Sequence, residues 1–255
     1  MVYQGAKTGI VEDIIPILMQ YRKEGQLFVD AFCGGANVVW LMDGERWAND
    51  FNELLPEMFS YLQGKVQYNA RTCSWEFPED TFPAEVSREE YEYIRVHKDE
   101  YPKWFVAYVG FCCSFKATFF QGYAGKMYQD RNRAAIFKQF TPLYHDGLRG
   151  VKFFSGSYDE LDIPAGALLY LDPPYINTAE YKKADGSVNH FDYDKFYEWC
   201  LTQHDRGCDV FLSEYTMPYT GQWETLWTQV KRNNMYSNKG KAKYNVEKLF
   251  RCVGR

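Results

Sequence analysis

The fold of this chain follows from the stretch Ala167-Leu168-Leu169-Tyr170-Leu171-Asp172-Pro173-Pro174-Tyr175. Its first five residues form a short apolar run bounded by prolines, a pattern that predicts a buried strand. The polar tetrapeptide 172–175 then lies at the carboxyl end of that strand. Because open α/β sheets bind their ligands at the carboxyl ends of strands, we expect the chemistry of the protein to be located there.

The residue types of this tetrapeptide suit the binding of a planar group that carries an amine. Asp172 precedes a proline, which favours an extended backbone at that position. Pro173 and Pro174 have no N–H, so they offer carbonyl acceptors without competing donors. Tyr175 supplies a flat face for stacking. An acceptor pair beside an aromatic ring matches the exocyclic amine of a nucleobase, whereas the alternative interpretation is a polar turn after a strand.

A glycine turn follows an earlier apolar strand, which we expect at residues 27–32. Gly34 and Gly35 allow a sharp turn and the close approach of a ligand, but the spacing is that of neither a Walker loop nor a dinucleotide-binding loop. Asp50 ends the next predicted strand, sixteen positions after Gly34. An acid at this position can bind both hydroxyls of a ribose, and the alternative is a helix cap.

Strands and helices alternate at both ends of the chain, and this alternation predicts an α/β fold with a Rossmann-like, doubly wound, mostly parallel sheet. The predicted strands are 27–32, 47–50, 151–154, 167–171 and 209–213, followed by a terminal antiparallel pair at 223–231 and 246–253. The predicted helices are 8–24, 52–62, 104–113, 132–140 and 194–203, with a further helix beginning at residue 38 and another at the capping box Ser87-Arg88-Glu89-Glu90.

The middle of the chain interrupts this alternation. Residues 73–83 look like a loop, and residues 114–127 lack a helical period. We therefore expect an inserted, mainly helical domain at 56–140, and a second domain made of residues 1–55 and 141–255.

Composition places the chain among ordinary globular proteins, with 46% hydrophobic and 25% charged residues in 255. The net charge of −5 argues mildly against a protein that simply coats DNA. Two windows are nevertheless basic: 116–138 carries a net charge of +4 and 231–243 carries +5. Each is interpreted either as a solvated face or as a surface that contacts phosphates.

Cysteine and histidine usage gives no sign of a metal site. The seven cysteines include no C-x-x-C pair and the four histidines are scattered, so we expect neither structural zinc nor another metal. The sequence has no signal peptide and no long apolar span. We therefore expect a cytoplasmic protein with reduced thiols and no membrane partner.

The order of these motifs resembles that of the Dam-like DNA adenine methyltransferases, in the arrangement where the cofactor loop precedes the insertion and the catalytic motif follows it. Gly5-Ala6-Lys7 is similar to the family's N-terminal Gly-Gly-Lys, the segment 30–35 to its cofactor loop, and Asn49-Asp50 to its ribose-binding acid. Ser157-Tyr158 falls where the family has an acid and an aromatic ring beside the cofactor adenine. Asp172–Tyr175 resembles the catalytic motif.

The resemblance implies transfer of a methyl group from S-adenosylmethionine to the N6 amine of adenine, by base flipping and direct in-line displacement without a metal. It implies that cofactor-binding residues are Lys7, Asp30, Phe32, Cys33, Gly34, Gly35, Asp50, Ser157, Tyr158 and Asp172. The sequence departs from the family at two points. Its loop reads Phe-Cys-Gly-Gly instead of Phe-x-Gly-x-Gly, and Ser157 replaces the usual acid.

The resemblance also implies that residues 1–55 and 141–255 form the S-adenosylmethionine-binding catalytic domain and that the insertion at 56–140 is the target-recognition domain. Double-stranded DNA is the expected partner, read by the insertion and the basic loops. The expected DNA-binding residues are Lys116, Gln121, Tyr123, Lys126, Arg131, Arg133, Lys239 and Lys241. A cognate restriction nuclease is an open partner, and a monomer or weak dimer is expected. The alternatives are methylation of cytosine N4, methylation of RNA, or a catalytically silent DNA-binding protein on the same scaffold. Glutamine methylation is disfavoured, because related enzymes have Asn where this chain has Asp172.

Overall fold

The computed structural model describes residues 7–176, 191–233 and 243–255, and a seven-stranded sheet organises them. The described strands are β1 (Phe28–Asp30), β2 (Arg46–Asp50), β3 (Gln67–Asn69), β4 (Ser74–Glu76), β5 (Lys152–Ser155), β6 (Leu168–Leu171), β7 (Asp209–Glu214), β8 (Trp223–Asn233) and β9 (Lys243–Cys252). Strands β3 and β4 form a separate two-stranded hairpin, and the other seven form the sheet. The strand order in the sheet is β5-β2-β1-β6-β7-β9-β8. The first five strands in this order, from β5 to β7, are parallel, and β9 is antiparallel to both of its neighbours. The predicted α/β fold class is confirmed.

Helices cover both faces of this sheet, as a doubly wound fold requires. The six described α-helices are α1 (Val11–Tyr21), α2 (Leu54–Lys65), α3 (Arg88–Val96), α4 (Lys103–Ala107), α5 (Lys126–Phe140) and α6 (Tyr193–Asp205). Successive strand residues point to opposite faces, so Phe28 and Val29 belong to two different hydrophobic clusters. The first cluster contains α1, α2 and α5 residues, and the second contains α6 residues. None of the described helices is long and apolar enough to cross a bilayer.

Most helices and strands lie close to where the sequence predicts them. The differences are an additional short strand, an earlier helix start and two turns of another helix type. The capping box at Ser87 is present, with both of its hydrogen bonds, at the start of α3. The expected loop at 73–83 contains β4, and α5 begins at Lys126 instead of residue 132. The helix expected from residue 38 is only a short 3₁₀ turn, Val39–Leu41. The helix expected at 104–113 becomes a π-helical turn, Tyr108–Cys112, after α4.

The middle region shares one hydrophobic core with the sheet. The cluster that contains Phe28 and Leu168 also contains Phe59, Tyr108 and Phe140 from the middle of the chain. The expected domain boundary at residues 55/56 falls inside α2, which packs against β2 and β5. The division into two domains therefore stays a prediction, and the described residues form a continuous core across it.

The direction of chain winding reverses between β1 and β6. From β1 the chain passes to β2 on one side, and later returns to β6 on the other side. Reversal of strand order opens a crevice at the carboxyl ends of the two central strands. The residues at this point are Asp30, at the end of β1, and Asp172, directly after β6. The topology thus brings the glycine turn and the tetrapeptide together.

Candidate active site

The tetrapeptide lies directly after β6 and carries an ion pair. Lys7 Nζ lies 2.6 Å from Asp172 Oδ1, with side chains that are only 9% and 17% exposed. The same ammonium lies 4.6 Å from the centre of the Tyr175 ring. Pro173 is buried and Pro174 is half-buried. The sequence suggested that Lys7 binds the cofactor, and the structure places it against two residues of the tetrapeptide.

Glu247 of β9 completes this cluster from a distant part of the chain. Its carboxylate accepts a hydrogen bond from the Tyr175 hydroxyl, and its Oε1 lies 3.9 Å from Lys7 Nζ. Glu247 is 4% exposed and Tyr175 is 8% exposed. The Tyr175 ring also meets Tyr215 edge-on, with ring centres 4.6 Å apart. These contacts hold Tyr175 by its hydroxyl and one edge, so its orientation is set within the protein.

Glu214, at the carboxyl end of β7, fixes the backbone that follows the tetrapeptide. Its carboxylate accepts hydrogen bonds from Ile176 N at 3.0 Å and Tyr215 N at 2.6 Å. Burial raises the pKa of Glu214 to about 7, and the hydrogen bonds from backbone N–H groups oppose this rise. Glu214 therefore ties the end of the tetrapeptide to the neighbouring strand.

The charge of Asp172 depends on Lys7. Burial raises the pKa of Asp172, and the nearby Glu247 carboxylate raises it further. The Lys7 ammonium opposes both effects through its charge and its hydrogen bond, and the Tyr175 hydroxyl contributes a further hydrogen bond. An ionised Asp172 is therefore favoured mainly by its pairing with Lys7.

The glycine turn is held against β2 by Asp50. Gly34 N donates to Asp50 Oδ2 at 2.7 Å, and Asn52 N donates to Asp50 Oδ1 at 2.8 Å. Asp50 thus fixes the turn and the chain before α2, but it does not cap that helix, whose N-cap is Glu53, and its contact with a ribose stays a prediction. A carboxylate has about four acceptor sites, so these two bonds leave capacity for two further donors.

Asp30 brings an unsatisfied carboxylate oxygen to the same crevice. The residue is 2% exposed, and its Oδ1 has no hydrogen-bond partner in the described part of the chain. Burial raises the pKa of Asp30 well above its usual range, and the charges of Asp172 and Asp50 raise it further. Burial also raises the pKa of Asp50 to about 6. A cationic ligand beside Asp30 would oppose this rise and favour the ionised form of its carboxyl.

Aromatic residues border the crevice on one side. The rings of Phe32 and Tyr158 are 5.5 Å apart, and Phe191 lies 5.7 Å from Tyr158. Beside Tyr158, the Ser157 hydroxyl donates to Asp159, which also pairs with Lys195 at 2.6 Å. Ser157 replaces the acid that the family has at this position, and the nearest acid, Asp159, lies two residues later. Asp159 already forms an ion pair with Lys195.

The carboxylates and the aromatic rings together fit S-adenosylmethionine. This compound carries a sulfonium and an ammonium, both cationic, next to a ribose and an adenine ring. The orphaned Asp30 oxygen can accept from a cation, Asp50 retains acceptor sites for ribose hydroxyls, and Phe32 and Tyr158 offer apolar surface to a ring.

The expected DNA-binding residues fall into two groups. Lys116, Gln121 and Arg131 are exposed. Arg133, in contrast, donates to Pro83 O at 2.6 Å and to Ala84 O at 3.2 Å, and it pairs with Asp130. A guanidinium with these partners stabilises the middle region, so its contact with phosphate stays a prediction.

Two other expected DNA contacts also have internal partners. Lys126 donates to Ala84 O at 3.3 Å and pairs with Asp130, and the Tyr123 hydroxyl donates to Val86 O at 3.0 Å. Lys239 and Lys241 lie outside the described residues.

Sequence reasoning missed Glu247 and Glu214 as parts of the site. Glu247 has a weak signal, because it lies in phase with the buried Leu249 on one face of β9. Glu214 ends an apolar strand, as Asp50 does, and a carboxylate at the carboxyl end of a parallel strand is a site signal. Neither pattern reveals that the two carboxylates meet the tetrapeptide, because that contact depends on the strand order.

Comparisons with known proteins give one family match and weak similarities to solved structures. The family described as D12 class N6 adenine-specific DNA methyltransferase matches residues 3–198, which is most of the chain. A protein of Pyrococcus horikoshii assigned as an RNA methyltransferase is 9% identical, with 94% of this chain and 81% of that chain covered and a TM-score of 0.38. The precorrin 8w decarboxylase of Methanobacterium thermoautotrophicum is 9% identical, with 99% and 98% covered and a TM-score of 0.39.

The family match covers the glycine turn, Asp50 and the whole tetrapeptide. It confirms the resemblance drawn from these motifs, and it decides for adenine over cytosine and for an enzyme over a silent binding protein. The chain belongs to the D12 class N6 adenine-specific DNA methyltransferases, enzymes that transfer a methyl group to N6 of adenine in DNA.

Proposed function

We propose that the methyl donor is S-adenosylmethionine and that it binds beside the glycine turn and Asp50, with its positive charge near Asp30. The observation that carries this proposal is the buried Asp30 Oδ1, which has no hydrogen-bond partner among the described residues and lies near enough to Asp172 and Asp50 for their charges to raise the pKa of its carboxyl. A cation there offsets the repulsion among these acids. When bound, S-adenosylmethionine supplies a methyl group activated by a sulfonium.

The target amine of adenine is a poor nucleophile because its lone pair is delocalised into the ring. We infer that Asp172 and the Pro173 carbonyl accept hydrogen bonds from this amine. Such bonds favour a tetrahedral nitrogen whose lone pair is free to attack. The contribution of the protein is then orientation and electrostatic stabilisation, without a covalent enzyme intermediate.

Access to the amine requires the adenine to leave the duplex, at a cost of about a few kcal/mol. Stacking on Tyr175 recovers about 1–3 kcal/mol of this cost. Lys7 now lies over the Tyr175 ring and on Asp172 Oδ1, so the entering base has to share or displace this ammonium. Glu247, 3.9 Å away, provides a second carboxylate toward which Lys7 can move.

Binding of the cofactor is tested by calorimetry with S-adenosylmethionine in the absence of DNA. We expect the wild-type protein to bind and the Asp30→Asn variant to bind about tenfold more weakly or worse, because asparagine cannot supply the carboxylate that the bound cation would hold ionised. An exposed acid, Asp162→Asn, is the matched control and should bind normally. Wild-type protein that fails to bind would contradict the proposed donor. Methylation-sensitive sequencing of DNA treated with the enzyme then reports the modified base and its context.

Tyr175 gives a second test, of the stacking role. We expect Tyr175→Phe to retain more methylation activity than Tyr175→Ala, because stacking requires the ring, while the phenylalanine variant keeps the ring and loses the hydrogen bonds of the hydroxyl to Glu247 and Asp172. Initial rates on a duplex containing the recognised sequence measure the order. If the alanine variant were the more active of the two, Tyr175 would not be a stacking platform.

The region 56–140 is our proposed reader of DNA sequence, with Lys116, Gln121 and Arg131 as exposed candidates for contact. Gln121 can bond a base edge, and Lys116 and Arg131 can contact phosphates. The DNA substrate follows from the family. A cognate restriction nuclease and a monomeric or weakly dimeric state stay predictions.

A further inference from the structure

Helix α5 buries a face that is unusually polar. Its most buried residues lie at one-turn and two-turn spacings, which place them on one side of the helix. They are Gln129, Asn132, Ile136, Gln139 and Phe140. Three of these five carry amides, and burial of an amide is unfavourable unless the amide is hydrogen-bonded. The polar residues on this face must therefore have partners outside the helix.

Each buried amide donates to backbone carbonyls. Gln129 donates to Val86 O at 2.8 Å and Ala124 O at 3.0 Å, and Asn132 donates to Cys112 O at 2.8 Å. These partners all lie in the middle region of the chain. Gln139 differs, because its Nε2 donates to Gly35 O at 2.9 Å and to Ala36 O at 3.1 Å. Gln139 thus links the middle region to the glycine turn of the proposed cofactor site.

The turn that Gln139 contacts has an unfavourable backbone conformation. Ala36 has a φ of 55° and Gly34 a φ of 46°, so the left-handed region is used on both sides of Gly35. A residue with a Cβ in this region costs free energy, and it persists when its surroundings hold it. The two carbonyls that Gln139 binds lie immediately before and immediately after Ala36 N–Cα. The amide therefore holds the strained residue at both of its peptide groups.

We propose that Gln139 is a positioning residue for the cofactor loop, which it holds from the target-recognition region in the conformation that binds S-adenosylmethionine. The inference rests on the proposed function, since it requires that the loop binds this cofactor. Without the amide, Ala36 keeps the hydrogen bond from its N–H to Cys33 O at 2.7 Å but loses the contacts at both carbonyls, which favours conformations with negative φ at Ala36. Apparent affinity falls in proportion to the fraction of molecules that keep the binding conformation.

The test compares Gln139→Met with Gln129→Met. Methionine is similar to glutamine in length and lacks the amide. Both variants remove a buried amide that binds two backbone carbonyls, and the two positions are about 15 Å apart along the same helix. Calorimetry with S-adenosylmethionine measures affinity, and thermal unfolding measures stability. A Gln139→Asn variant, whose amide is carried on a shorter side chain, serves if the methionine variant does not fold.

We expect both methionine variants to unfold at a lower temperature than the wild type. Only Gln139→Met should lose cofactor affinity, by about tenfold if the binding conformation falls to about one molecule in ten. In steady-state assays its KM for the cofactor should rise while kcat at saturating cofactor stays near the wild-type value. Equal cofactor affinity in wild type and Gln139→Met, or equal losses in the two variants, would overturn the inference. Wild-type protein without affinity would instead overturn the proposed cofactor site itself.

Discussion

Replacing Asp172 by alanine is expected to lower the rate of adenine methylation by about 10²–10³-fold or more, while S-adenosylmethionine still binds. Asp172 is the carboxylate at the end of β6, and it remains 17% exposed within the crevice. Its oxygen not paired with Lys7 can accept a hydrogen bond from the target amine. Removal of this acceptor removes the interaction that orients the nitrogen lone pair, and it leaves Asp30 and Asp50 in place for the cofactor. Single-turnover rates on a substrate duplex and calorimetry with the cofactor measure the two effects separately.

The control for this prediction is Asp162→Ala. Asp162 is an exposed acid that precedes the same strand, at its opposite end. We expect this variant to methylate DNA at the wild-type rate. Near-normal turnover by Asp172→Ala would remove Asp172 from the role assigned to it. Loss of cofactor binding in that variant would show that Asp172 acts on the cofactor instead of the amine.

Replacing Lys7 by methionine is expected to lower methylation at neutral pH by about tenfold or more, and raising the pH should restore part of the loss. The reason is the effect of Lys7 on the pKa of Asp172. Burial and Glu247 raise this pKa, and Lys7 lowers it. Without Lys7 the pKa rises further, so a smaller fraction of Asp172 is ionised at a given pH. The acidic limb of the pH–rate profile should therefore move to higher pH.

The same substitution should reduce stability, because it leaves two buried carboxylates without their cation. The loss of one partner from a buried pair costs about 3 kcal/mol of the free energy of unfolding. Lys23→Met is the matched control, since Lys23 pairs with Asp209 at 2.9 Å but is 69% exposed. Exposed pairs contribute about 0–1 kcal/mol, so this variant should keep both stability and activity. A Lys7→Met profile with an unchanged acidic limb would mean that Lys7 does not govern the charge of Asp172.

Much of the fold follows from local sequence signals. The apolar runs that become β1, β6 and β7, and the short segment that becomes β2, alternate with helices, and this alternation alone indicates a parallel sheet. Short turns and changes of helix type were harder to predict. The 3₁₀ turn Val39–Leu41 and the π turn Tyr108–Cys112 have the composition of ordinary helix, and tertiary packing determines their winding.

The candidate site was predictable only in part, for a related reason. Asp172 follows the predicted strand 167–171 and Asp50 ends the predicted strand 47–50, so their position at one edge of the sheet could be inferred from the pattern. Asp30 lies inside the predicted strand 27–32, and only the structure places it at the end of β1. Lys7 was expected at the cofactor, but its ammonium lies on Asp172. Arg133 was expected on phosphates, but its guanidinium binds two carbonyls of the middle region. The direction in which a long cationic side chain extends depends on its neighbours in space, which no local pattern records.

The sequence by itself therefore determined the α/β fold, the order of the motifs and the acids at strand ends, because these depend on periodicity and on residues close together in the chain. Tertiary structure alone decided that Glu247 contacts Lys7 and Tyr175, and that Gln139 contacts the turn at Gly35. The first contact requires β9 to lie between β7 and β8, and the second requires α5 to pack against the end of β1. Such neighbours are selected by the packing of the whole core, in which residues more than a hundred positions apart become adjacent.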